Sequence, residues 1–116
     1  MYDSFHFMDH SFQDAVSLEL ARRIADGLPD HPEWLEFAGA NLDRWTSQNR
    51  NAPSLIRCYE EWRDLLTRPV SEIVTILIAN TDEGQRIRQN SPFAGILPPA
   101  EVWSIKARLR HETPAA

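Results

Sequence analysis

Cysteine, lysine, glycine and long apolar runs are all scarce in this chain of 116 residues. One cysteine, Cys58, cannot close an internal disulfide, so the fold must rest on its core, and a reducing compartment suits it. Lys106 is the single lysine among 12 basic residues, and 17 acidic side chains outnumber them to leave a net charge of -5. That balance disfavours general nucleic-acid binding, which needs a basic face to neutralise phosphate, and equally a polybasic membrane anchor. The four glycines stand singly, which leaves no glycine-rich phosphate loop. The longest apolar stretch, Ile76-Leu77-Ile78-Ala79, is far short of the ~20 residues that span a bilayer. Residues 1–6 carry no basic segment leading into an apolar run, so no secretory signal is expected and a cytoplasmic protein is.

What is present is helical patterning. Phe12, Ala15, Val16, Leu20, Ile24 and Leu28 recur at spacings of three and four. They predict a helix over 12–27, capped by Ser11 and stopped by Gly27 and Pro29. Pro32 suits the first turn of a second helix, with Glu33 and Glu36 at the positive end of its dipole and an apolar face from Trp34 to Trp45. A polar, turn-rich stretch follows up to Pro53. Ser54 then opens a third helix bearing Leu55, Cys58, Tyr59, Trp62, Leu65 and Leu66, closed by Pro69.

Residues 72–79 are rich in β-branched side chains and admit a strand reading. A lone strand has nothing to pair with here, which favours a central, buried helix capped by Ser71. Asp82 with Gln85 reads as a capping box for a short polar helix whose one core candidate is Ile87. Ser91-Pro92 interrupts it, and Pro98-Pro99 starts a last helix carrying Val102, Trp103, Ile105, Lys106 and Leu109. The expected fold is all-α, a single compact bundle of five to six short helices. It forms one domain over 1–116, with flexible ends at 1–10 and 112–116.

Few constellations suggest chemistry. His6 and His10 could share a helix face and grip zinc or nickel beside Asp3, Asp9 and Asp14, but a solvated N-terminal segment explains them as well. Cys58 beside Arg57 could be an activated thiol, yet it falls on the apolar stripe and reads better as a small core residue. Glu60, Glu61 and Asp64 cluster opposite that stripe, with Arg57 four before Glu61 and Glu60 four before Asp64, the mixed charge of a solvated face. No hydrolase, zinc-protease or C-x-x-C motif occurs. The expectation is no enzyme, no cofactor and no metal site.

Charge is distributed unevenly. Residues 1–64 hold 12 acids and 6 arginines, whereas residues 65–116 hold 5 acids and 6 bases. In that second half Arg86, Arg88, Lys106, Arg108 and Arg110 flank the loop Ser91–Pro99, whose Phe93–Leu97 stretch is apolar. A loop of this kind either tucks into the core or meets a partner. The candidate partner-binding set is Arg86, Arg88, Ser91, Pro92, Phe93, Ile96, Leu97 and Trp103. Of the four tryptophans most should be core, and an exposed one would mark an interface.

The stretches Trp62-Arg63-Asp64-Leu65-Leu66 and Thr81 through Leu97 resemble small bacterial proteins of unassigned function, some of which accompany toxin–antitoxin or regulatory genes. The resemblance covers the C-terminal half and carries no site residue across. It implies a small partner-binding protein. The expected function is therefore an acidic helical interaction module, antitoxin-like or adaptor-like, that binds and restrains a partner protein of toxin-like or regulatory kind. Homo-oligomerisation stays open. The alternative is a helical DNA-binding regulator, with a helix-turn-helix over 71–90 and a C-terminal basic face, although Asp82 and Glu83 would repel phosphate.

Overall fold

The computed structural model describes residues 2–112, with side chains from Ser11 onward, and builds them from six α-helices and one 3-10 turn joined by loops, with no strand. Helix α1 spans Tyr2–Gly27 and leads into the 3-10 turn Leu28–Asp30. Helices α2 (Trp34–Gln48) and α3 (Pro53–Leu66) follow, then α4 (Val70–Leu77), α5 (Asp82–Arg88) and α6 (Pro99–Glu112). This is the all-α bundle that the hydrophobic periodicity predicts.

Helix α2 opens at Trp34, after Pro32 and Glu33, and three other boundaries differ from the sequence expectation for a local reason. Helix α1 begins at Tyr2 rather than at residue 12, so Ser11 lies inside the helix and caps nothing. Neither proline nor glycine occurs between Tyr2 and Gly27, so nothing in the backbone stops the helix earlier. The cap of α5 is Thr81, not Asp82: its hydroxyl accepts from the Gly84 amide at 3.0 Å. Helix α4 starts straight after Pro69 with no side-chain cap, so Ser71 is its second residue rather than its cap. The expected flexibility of 1–10 and 112–116 concerns, apart from the backbone of 2–10 and Glu112, residues outside this description.

Residues 72–77 are helical, which settles the strand alternative, but Ile78 and Ala79 lie beyond the helix end, Ile78 is exposed, and α4 is not buried all round. Ile73 and Leu77 are buried while Ser71, Glu72 and Thr75 face water. The polar residues lie three and four apart, so they gather on one outer face. Gly84 is needed where α5 meets the end of α4, because a Cβ there would collide with the Ala79 carbonyl.

Two antiparallel helix pairs frame the core. In the α2–α3 pair, the rings of Trp45 and Tyr59 lie 5.8 Å apart, and Arg63 bonds Asp43 at 2.9 Å. In the α1–α6 pair, Arg23 bonds Glu101 at 3.2 Å and, further back along α1, Glu19 bonds Arg108 at 3.2 Å. Between the pairs lies an apolar cluster that includes Leu28, Leu42, Trp62, Ile73 and Leu77. The segment 91–97 completes this cluster from one end.

Candidate functional site

The apolar segment after α5 is a plug. Phe93 has no exposed surface, and Pro92 and Leu97 are buried with it. The Phe93 ring meets the edge of Trp62 at 6.1 Å and 80°. Trp62 in turn donates its indole N–H to the Ile87 carbonyl at 3.0 Å, fixing the end of α5. Asn41, buried on α2, donates to the carbonyls of Pro92 at 2.8 Å and Ala94 at 3.3 Å, and its own oxygen accepts from Arg44. Gly95 turns the chain with φ +89°, a conformation that costs other residues. Of the two roles open to this loop, the core role is the one the structure adopts.

The predicted partner-binding residues therefore scatter. Phe93, Pro92 and Leu97 are inside, Ser91 and Ile96 half-buried. Arg86 is clasped between Glu61, at 2.9 and 3.2 Å, and Glu83, at 3.0 Å. These carboxylates raise the Arg86 guanidinium further above its ordinary range, and the Arg86 hydrogen bond holds Glu83 low. The segment 71–90, expected as a helix-turn-helix, folds as the two helices α4 and α5. On its second helix, however, Arg86 is held by two carboxylates and Arg88 is buried.

Arg88 is the least expected feature. It is 5% exposed, and its Nη1 donates to the carbonyls of Leu77 at 3.1 Å and Ala79 at 2.7 Å, where α4 ends and its carbonyls lack helical partners. Its Nε and Nη2 have no hydrogen-bond partner among the described residues. Burial lowers its pKa, with the nearby charge of Asp14 opposing and that of Arg22 adding to the shift.

Arg88 borders a groove of about 600 Å³ between α1 and α6, floored by the plug. From α1 come Phe12, Val16, Leu20 and Ile24; from the plug Phe93 and Leu97; from α6 Val102, Lys106 and Arg110. The charged lining residues are Arg88, Lys106 and Arg110, and no described carboxylate lines it. Arg110 lies over the Phe12 ring, 5.4 Å from its centroid, at the outer end. Deeper along α1, burial raises Glu19, but hydrogen bonds and charge from Arg108 and Arg22 outweigh it and hold the carboxylate below its ordinary range.

The chain matches no protein-family model, no curated protein and no solved structure. Function must therefore be read from the molecule itself. Trp103 is the exposed tryptophan, at 68%, while Trp62 is buried and Trp34 and Trp45 are half-buried. On α6 it heads a stripe with Lys106 and Arg110, spaced three and four apart along one edge of the groove. Neither Lys106 nor Arg110 has an ion pair with a described residue, whereas Arg108 bonds Glu19.

Other candidates assemble nothing further. Cys58 is half-buried on α3. Among the described residues no three His, Cys, Asp or Glu side chains gather into a metal cluster, and the side chains of His6 and His10 lie outside the described set. No described helix is long and apolar enough to cross a membrane.

Sequence reasoning missed Asn41, and a signal for it existed. It interrupts the apolar face of Ala38, Leu42 and Trp45, where a polar residue requires a buried partner. The burial of Arg88 had no comparable signal, because Ile87 is the single large apolar residue in α5 and one residue does not mark an inner face.

Proposed function

We propose that this protein is an interaction module that binds and restrains a partner protein across the outward edge of α6, with Trp103 as its anchor. The observation that carries this reading is the 68% exposure of Trp103 in a chain whose other three tryptophans are drawn into the bundle. A large amphipathic ring left in water loses the stabilisation that burial would give, and tryptophan is enriched where partners dock. Lys106 and Arg110 on the same edge form a local positive strip on a molecule of net charge -5, which suits an acidic partner and fixes its register. The resemblance to proteins that accompany toxin–antitoxin or regulatory genes supports the same class of partner, and the antitoxin-like or adaptor-like role remains part of this proposal.

Affinity capture from the native host, with wild type beside Trp103→Ala and Phe37→Ala, tests it. The expected result is one stoichiometric acidic protein retained by wild type and Phe37→Ala and lost by Trp103→Ala. Retention by Trp103→Ala, or no stoichiometric protein at all, overturns it.

A further inference from the structure

Arg88 presents a chemical problem that the interaction surface on α6 does not solve. A guanidinium buried to this degree normally satisfies all its donors, since a buried polar group without a partner is destabilising. Here Nη1 is spent on the Leu77 and Ala79 carbonyls, while Nε and Nη2 are both unpartnered among the described residues. Those two nitrogens lie on the same edge of the guanidinium plane, the edge that forms two parallel hydrogen bonds with a carboxylate. The residue that carries them borders the groove, whose described charged residues are cations only.

We propose that the groove between α1 and α6 binds a small monocarboxylate with a medium-length alkyl body, its carboxylate received by the Nε–Nη2 edge of Arg88. The walls fit the body: Val16, Leu20, Ile24, Leu97 and Val102 are aliphatic, and a volume of about 600 Å³ falls within the range of small-molecule sites. Gln13, Ser17, Gln89 and Ser91 also line the groove, but nine of its 17 lining residues are apolar, which favours a hydrocarbon body carrying a single polar head. One two-donor edge matches one carboxylate. Asp14 and Arg22 are the described charges that Arg88 senses from α1, and neither hydrogen-bonds it. Both nitrogens are shielded from water, so the ligand reaches them through a rotamer-scale shift of the wall, a change common on binding.

Calorimetric titration of the isolated chain with decanoate, decan-1-ol and acetate tests the proposal, alongside the Arg88 Nε–H resonance followed by NMR. Decanoate should bind, decan-1-ol about tenfold more weakly, and acetate more weakly than decanoate for want of an apolar body. The Nε–H resonance should move with decanoate and stay still with decan-1-ol. Arg88→Lys, which keeps a cation near the two carbonyls but removes the paired edge, should lose about tenfold in decanoate affinity and none for decan-1-ol. Absence of decanoate binding, equal affinity for the alcohol, or an unmoved Nε–H resonance overturns the proposal. If Arg88→Lys does not fold, the comparison of the three probes on wild type decides alone. None of these measurements involves a partner protein, so this site can fail while the α6 surface stands, and the reverse.

Discussion

Phe93 and Trp103 are both aromatic and both belong to the predicted partner-binding set, yet the fold uses them oppositely. Phe93 fills the end of the core against Trp62, and Trp103 stands in water. Truncating Phe93 to alanine removes a fully buried ring and leaves a cavity, so it should cost about 3–5 kcal/mol. Trp103→Ala should change stability by no more than about 0.5 kcal/mol. Urea unfolding of the two variants measures both values, and a large loss for Trp103→Ala would mean that it packs. Glu19 gives a prediction with a sign in pH. Its carboxylate is held low in the folded state, so it binds its proton less readily there than in the unfolded chain. The stability this supplies is present above its unfolded value of about 4.3 and fades as pH falls through the folded value. Wild type should therefore exceed Glu19→Gln in urea midpoint at neutral pH, with the gap closing in acid; a constant gap across that window would contradict the Arg108 pairing as its source.

At the scale of elements, the helices that could be read from the sequence are those bounded by proline. Pro29, Pro53, Pro69 and Pro99 sit at or beside starts and stops of α1, α3, α4 and α6, because proline fits a first turn and breaks a later one. The helix starts that differ from the sequence pattern are those that depend on a polar cap. Thr81 and Asp82 are both capping types, and which of them turns its oxygen to an amide depends on how α5 packs on Ala79 through Gly84. The loop 91–97 is fixed by a long-range bond from Asn41, fifty or so positions away in sequence, which no local pattern encodes. Asn41→Ala should cost about 1–3 kcal/mol by leaving two carbonyls without their donor. It should also speed hydrogen exchange at Ala94 and Ile96, whose amides bond within that loop. Unchanged exchange there would show that the loop is held by Phe93 alone.

For the molecule as a whole, the helical class follows from composition and periodicity, whereas the location of function does not. The sequence places five cations around one apolar loop, and all five look alike until packing distinguishes them. Arg86 is neutralised by two carboxylates, Arg88 is buried, Arg108 is tied to Glu19, and Lys106 and Arg110 remain on the α6 edge beside Trp103. That sorting turns a general basic neighbourhood into a narrow strip on an otherwise acidic protein, and it makes α6 the surface on which a partner should be found. A photo-crosslinking residue placed in turn at positions 103, 37 and 78, the three most exposed large apolar sites among the described residues, tests this most directly. In native-host extract the account predicts a single acidic protein crosslinked from position 103 and not from positions 37 or 78. Crosslinks that favour position 37 or 78, or that join position 103 only to a second copy of the chain, would contradict it.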